Sequence, residues 1–369
     1  MNSFAGGGAE RQTIHLINQL DKKKFSVGLI CLNNVETLKS TVDDNQLFHL
    51  ESLERKGKLD FRTLKKIHQI ILTHKVQIIA CVEEYPFLYA SLNRIIFRDF
   101  SAKIIAIIHH NIHLPSPWVQ AQKQLYRVLI NRAEKAVFVC HNQAQYFYDI
   151  GINKSLSTVI YNGIDPSFFS PDQINPLEKK QLRESFHFSE EDFVVGICAR
   201  MNPVKRHIDF LKGIALAKES GGSIKGVLMG EGPERENIEA AIRQLDLLDD
   251  VVLAGFQQDV RPYIGTCDCM AITSNSEAFS MAALETMALE KPLIMAISGG
   301  ADEQVKDGET GFLYTIGEVD DLVRHLCWLA DNKEKALDMG IKAREALLKN
   351  FTLQTMTKSY EALFLESAS

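Results

Sequence analysis

Residues 192–206 read DFVVGICARMNPVKR, an apolar run of strand length that passes directly into a helix start. The run 192–198 has no polar face, as in a strand covered on both sides. Asn202 can cap a helix beginning at Pro203, where proline's missing N–H costs nothing. A buried strand feeding a helix is the repeating unit of parallel sheets wrapped in helices.

The same unit recurs in both directions. Upstream, strands are expected near 25–32, 76–82, 103–108, 136–140 and 157–161, with helices near 9–20, 61–74, 86–97, 117–132 and 142–149. Downstream, strands fall near 224–229, 250–254, 269–273 and 292–296. Helices lie near 203–219, 233–245, 259–265, 279–289, 319–330 and 333–349. The stretch 166–191 is turn-rich and carries Pro166, Pro171 and Pro176, so it reads as a linker. The expected architecture is therefore α/β, with two doubly wound, Rossmann-like domains facing a cleft at the carboxyl ends of their strands. The first spans 1–165, with a last helix at 352–369 packing back on it, and the second spans 192–351. A doubly wound domain should open with a strand before the turn Gly6-Gly7-Gly8. Only Met1 to Ala5 precede it here, so that first strand is expected to be missing or shortened.

Composition narrows the function. The 369 residues carry 41 basic and 47 acidic side chains, a net charge of −6, which removes the electrostatic reason to expect nucleic-acid binding. Hydrophobic residues make up 46%, enough for a packed core without disulfides. The seven cysteines are odd in number and scattered through apolar runs, as in a reducing compartment. Cys267-Asp268-Cys269 has the wrong spacing for a zinc site and no second pair, so both cysteines read as core residues. No charged-then-apolar leader opens the chain, and no apolar stretch reaches the ~18–20 residues that span a bilayer. The expected location is cytoplasmic, with peripheral contact at the inner face of the membrane as a further expectation.

The chemistry concentrates in the second half. Arg200 and Lys205 flank the helix start after strand 192–198, where two cations and exposed N–H groups suit a diphosphate. Two solvated surface cations are the competing structural reading. Gly230-Glu231-Gly232-Pro233 makes a tight turn that lets a ligand approach the backbone. In Ser274–Glu285, small residues around Phe279, Ser280 and Met281 leave a helix start open to an anion. Glu277 lies in the loop and Glu285 lies in an apolar helix, where an idle carboxylate is costly. A further glycine loop runs through Gly299-Gly300 to Gly311-Phe312-Leu313.

Taken together, these motifs resemble the donor domain of GT-B retaining glycosyltransferases of family GT4. The residues that carry the likeness are Arg200-x4-Lys205, Gly-x-Gly-Pro at 230–233, Gly255-Phe256, Glu277-x7-Glu285 and the glycine run at 299–311. In the first half, GGGAER at 6–11, His110-Asn111 and VIYNGID at 159–165 agree. The resemblance implies that Arg200 and Lys205 hold the donor diphosphate, that Glu285 binds the ribose, and that Glu277 contacts the transferred sugar. Backbone N–H groups of Phe279, Ser280 and Met281 would complete the donor site, with Gly230 and Phe256 nearby. Gly7 and Gly8 would close over the phosphate. His110, with His109 as the alternative, would reach the sugar near the breaking bond. As a lone residue that histidine reads as structural. No Asp-x-Asp motif is present, so no metal and no cofactor beyond the nucleotide-sugar co-substrate is expected.

The implied function is sugar transfer from a nucleotide-sugar, UDP by default, to a saccharide or lipid-linked acceptor in bacterial surface polysaccharide assembly. Acceptor contacts would come from the first domain, including Glu83-Glu84 and the segment His113 to Trp118. Segment 92–103 could touch an anionic membrane, although an ordinary amphipathic helix end is the simpler reading. Two other readings use the same architecture: a sugar-nucleotide epimerase and a non-catalytic sugar-nucleotide binder. A nicotinamide dehydrogenase is disfavoured, because strand 25–32 ends in Asn33-Asn34 rather than the acidic ribose ligand.

Overall fold

The computed structural model describes residues 1–109 and 117–369, with side chains described outside 117–122. The chain divides into two compact units. Unit 1 is Met1–Gly163 with Leu353–Ser369, and unit 2 is Ile164–Thr352.

Unit 1 alternates strands β1 (Val27–Cys31), β2 (Leu47–Ser52), β3 (Ile78–Val82), β4 (Lys103–Ile108), β5 (Lys135–Phe138) and β6 (Ser157–Val159) with helices. These are α1 (Gly8–Gln19), α2 (Phe61–Thr73), α3 (Glu84–Ile96), α4 (Pro117–Ile130) and α5 (His141–Asp149). Among the described residues all pairings are parallel, but they form two pieces, β1-β2 and β3-β4-β5-β6. Strand alternation assigns the faces. Val82, Ile105 and Ile107 join a core with α1 and the C-terminal helix Leu353–Ala368. Cys81, Ile104 and Ala106 join Phe87 of α3 and Leu129 of α4 on the opposite face. Residues 1–5 form no strand, although Phe4 is fully buried.

Unit 2 opens with α6 (Pro176–Ser185) and continues through β7 (Phe193–Cys198), α7 (His207–Glu219), β8 (Ile224–Met229), α8 (Arg235–Gln244) and β9 (Val251–Gly255). Next come α9 (Arg261–Thr266), β10 (Cys269–Ile272), α10 (Met281–Ala288), β11 (Leu293–Ala296), α11 (Ala301–Gln304), β12 (Gly311–Tyr314), α12 (Val319–Asp331) and α13 (Lys333–Asn350). Its six parallel strands run in the order β12-β11-β10-β7-β8-β9. The order reverses between β7 and β10, and at such a switch point the loops leave a crevice at the carboxyl ends of the strands. Val194 and Val195 of β7 are fully buried on opposite faces, each worth about 1.5–3 kcal/mol of apolar burial.

Four expectations change in detail. The stretch 166–191 is not a free tether, because Asn175 caps α6 with Pro176 at its first position, and α6 packs on α9 within unit 2. The expected helix 203–219 is broken, since Pro203–Lys205 is a single 3₁₀ turn and Arg206 takes a left-handed φ of 49° before α7. The glycine run through Gly311 continues into the edge strand β12, and β2 was not anticipated because LFHLES is half polar. No disulfide joins any of the seven cysteines, and burial pushes the Cys267 thiol up to about 12, as expected of an inert core residue.

Candidate functional site

β7 and β10 lie side by side, so the loops that follow them meet at the switch point of unit 2. The β7 loop carries Arg200 and Lys205, and the β10 loop carries Glu277. The Lys205 ammonium is hydrogen-bonded to the Glu277 carboxylate, with the two side chains only 24% and 13% exposed. Local structure fixes both ends. The Asn202 side chain accepts from the Lys205 N–H at 3.2 Å, closing the 3₁₀ turn. The Thr273 hydroxyl donates to the Lys205 carbonyl at 2.7 Å, and the Asn275 N–H donates to the Val204 carbonyl at 2.9 Å. Those bonds tie the loops together before any ligand is present.

The belt extends on both sides through glycines that permit backbone contact. Gly230, at φ 141°, follows β8, and a methyl group there would lie 2.0 Å from the Ala199 carbonyl oxygen. Gly232 is as close to Met201, and the Met201 N–H donates to the Glu231 carbonyl. The Gly230 N–H donates to the carbonyl of Gly255, which is followed by Phe256, 65% exposed. On the other flank, Gly299 at φ 53° lies against Glu277, where a methyl group would fall 1.9 Å from the Glu277 carbonyl oxygen. Five strand ends thus contribute to one continuous rim.

Ser280 caps α10 through its hydroxyl, which accepts from the Ala283 N–H. The N–H groups of Met281 and Ala282 have no carbonyl within the helix to bond, and the helix dipole makes that end attractive to an anion. The Ser280 N–H, expected to contact a donor, is already committed. It donates to Gln304 Oε1 at 2.9 Å, and Gln304 Nε2 donates back to the Ser280 carbonyl at 2.9 Å. Gln304, 3% exposed, was not singled out from sequence, because its partner lies 24 positions away and only the fold joins them. Phe279 turns its ring inward onto Phe351, at 5.3 Å between centroids. Glu285 sits in α10 at 8% exposure, and Arg200 is exposed at the end of β7.

The other expected residues lie in unit 1 or outside the described residues. Gly7 and Gly8 begin α1 in unit 1, where Glu10 folds back towards Gly7. His110 and most of the segment 113–118 lie outside the described residues, while His109 is half-buried and lines a cavity of unit 1. Glu83, at φ 73°, precedes α3 in unit 1. No group of three or more His, Cys, Asp or Glu able to hold a metal occurs among the described residues.

The sequence profile described as Glycosyl transferases group 1 matches residues 178–346, and that described as Glycosyltransferase Family 4 matches residues 6–168. Together they account for both units. The chain belongs to the family 4, group 1 glycosyltransferases of GT-B fold. Within the family, EpsD of Bacillus subtilis is 30% identical over 203 residues, 54% of this chain and 53% of the relative, so the chain spans about half that relative's length. A Campylobacter jejuni relative is 26% identical over 93% of this chain and 92% of its own. It is an N-acetylgalactosamine-N,N'-diacetylbacillosaminyl-diphospho-undecaprenol 4-alpha-N-acetylgalactosaminyltransferase. Anabaena HepE, crystallised with UDP, superposes with a TM-score of 0.85 over 99% of this chain and 100% of its own at 22% identity, a likeness of fold.

Proposed function

We propose that this chain transfers a sugar from a nucleotide-sugar, UDP-activated by default, to a hydroxyl of a saccharide or lipid-linked saccharide in bacterial surface polysaccharide assembly. Transfer retains the anomeric configuration. The observation that carries this reading is the Lys205–Glu277 pair at the unit 2 switch point, flanked by the open N-terminus of α10 and by Arg200. Family membership supports it, as do the undecaprenol-linked acceptor in the Campylobacter relative's name and the UDP in the HepE crystals.

In the reaction, the bond between the anomeric carbon and the β-phosphate oxygen breaks and its electron pair leaves on the diphosphate. Charge therefore grows on the phosphates as the sugar becomes oxocarbenium-like. In this reading Lys205, held by Glu277 and the Asn202 turn, and the Met281 and Ala282 N–H groups meet that charge as it develops, the arrangement worth most in catalysis, and the exposed Arg200 closes on the diphosphate when it binds. Donor binding draws the Lys205 ammonium from Glu277 towards phosphate, freeing the Glu277 carboxylate to accept from hydroxyls of the transferred sugar. Glu285 accepts from the ribose diol, and the Phe256 ring offers a stacking face to the base. His110 keeps the role the family resemblance implies, against the sugar near the breaking bond. With two cations on the leaving group, no metal is assigned to the step.

No helix among the described residues is long and apolar enough to cross a membrane, and a lipid-linked acceptor would be met peripherally, from the cytoplasmic side. The test is nucleotide release from UDP-, GDP- and ADP-sugars with and without an undecaprenyl-diphosphate-linked saccharide. UDP release that rises with acceptor supports the reading. Conversion of the donor to an epimer without acceptor, or no release from any donor, counts against it.

A further inference from the structure

Between β2 and the first turn of α2 the chain of unit 1 reads Glu54-Arg55-Lys56-Gly57-Lys58-Leu59-Asp60-Phe61-Arg62. Leu59 is 67% exposed and Phe61 64% exposed, on either side of Asp60, whose backbone is extended at φ −129°. The two neighbours of an extended residue project to the same side, so the two large apolar side chains stand together. Single exposed apolar residues are ordinary, but a leucine and a phenylalanine displayed as a pair point to something that covers them.

The loop is anchored at both ends. The Leu53 N–H donates to the Cys31 carbonyl at 2.7 Å, and the Arg55 N–H donates to the Leu32 carbonyl at 3.0 Å. The Arg55 guanidinium lies 4.1 Å from the centre of the Tyr85 ring and donates to the Lys58 carbonyl at 3.3 Å. The Asp60 N–H donates to the Tyr89 hydroxyl at 2.7 Å. The Asp60 carboxylate accepts from the Lys56 N–H at 3.1 Å, the Arg62 N–H at 3.0 Å and the Thr63 hydroxyl at 3.0 Å. That bonding also shapes the charge. Residues 54–66 carry six basic and two acidic side chains, in a chain whose net charge is −6, and one of the two acids is the capping Asp60. Lys56, Lys58, Arg62 and Lys65 are exposed and make no ion pair among the described residues.

We propose that this loop is a membrane wedge: Leu59 and Phe61 enter the headgroup boundary of an anionic bilayer, while Lys56, Lys58, Arg62 and Lys65 meet its phosphates. A soluble polyanion would engage the four cations but leave Leu59 and Phe61 in water, whereas a bilayer interface takes both kinds of side chain at once. The wedge stands at the carboxyl end of β2, and Tyr85, beneath Arg55, follows the carboxyl end of β3. Segment 92–103, where Ile95 and Ile96 are also exposed, ends α3 and begins β4, at the opposite edge of the sheet. The proposal rests on the reading of a lipid-linked acceptor. It brings to the bilayer the edge of unit 1 at which Glu83 and Glu84 were expected to contact that acceptor.

The test is co-sedimentation of the full chain with lipid vesicles, without donor or acceptor, so that its failure leaves the transfer reading standing. Failure of that reading shows instead as no nucleotide release with vesicle binding intact. The chain is expected to bind mixed phosphatidylglycerol–phosphatidylcholine vesicles, to ignore pure phosphatidylcholine, and to detach as salt rises to about 0.5 M. Leu59→Ser with Phe61→Ser should weaken binding by about tenfold or more. Lys56→Gln, Lys58→Gln and Arg62→Gln together should weaken it by about a hundredfold, at about fivefold for each charge. UDP affinity and melting temperature should stay at the parent values in both variants. As a second measurement, tryptophan emission from Phe61→Trp should move to the blue on the anionic vesicles. No binding by the parent chain, unchanged binding in the Leu59 and Phe61 variant, or emission that does not move would overturn the proposal. So would binding that Ile95→Ser with Ile96→Ser abolishes and the loop variants leave intact.

Discussion

Replacing Gly299 with alanine should damage catalysis more than folding, and the structure supplies the reason. The residue sits at φ 53°, a left-handed conformation that costs an L side chain on the order of 1–2 kcal/mol. The new methyl carbon would lie 1.9 Å from the Glu277 carbonyl oxygen and 2.8 Å from that of Ala278, where real contacts essentially never fall below 3.0 Å. Both partners are backbone, so relief requires the Glu277 loop to move by roughly 1 Å, and a displacement of that size at a reacting centre costs on the order of 100-fold, about 2.7 kcal/mol. Gly308 is the matched control: its φ is 72°, yet a methyl group there meets nothing within 4 Å. Gly308→Ala should carry the backbone cost alone, lowering the melting temperature by a few degrees and leaving turnover within about twofold. The assay is kcat/KM for UDP-sugar consumption beside thermal melting for both variants. If Gly299→Ala turns over as fast as Gly308→Ala, the Glu277 loop is not part of the machinery and the reasoning fails.

Gln304→Leu removes two buried hydrogen bonds to Ser280 and leaves a buried N–H unsatisfied, so unit 2 should lose about 2 kcal/mol, read from urea midpoints, together with a raised KM for donor. Gln304→Glu, which keeps the acceptor but loses the donor, should fall between. His207 gives a pH signature. Burial, followed by the neighbouring Lys205, holds its pKa down at about 4 against 6.5 when unfolded. The unfolded chain therefore binds the proton first, so this stability is fully present above pH 6.5 and is lost as pH falls through 4, by about 2 kcal/mol at pH 5. His207→Leu should flatten the urea midpoint between pH 7 and pH 5; an unchanged slope would assign the acid sensitivity elsewhere.

The strand-and-helix alternation was legible because the strand pairings among the described residues are parallel and most strands are covered on both faces, which writes a strand as a short apolar run such as FVVGIC at 193–198. α6 was hidden for a specific reason. Asn175-Pro176 is equally good as a turn and as a cap with proline at the first helical position, and packing on α9 decides the matter. Glu277 and Lys205 were both readable as charged residues beside a helix start. Their pairing across 72 positions was not, because it depends on β7 and β10 becoming neighbours. The same holds for Gln304, whose side chain uses the amide that local reading left open for a ligand. Side-chain identity and period travel along the chain; partner identity does not.

Calorimetric titration of UDP into the protein and into its Arg200→Ala, Lys205→Ala and Glu285→Gln variants bears most directly on the central claim, that the unit 2 switch point holds an activated sugar by its phosphates. The account predicts saturable binding to the parent chain, a loss of about tenfold or more in each variant, and melting temperatures that stay within a few degrees. Equal UDP affinity across all four proteins would contradict it.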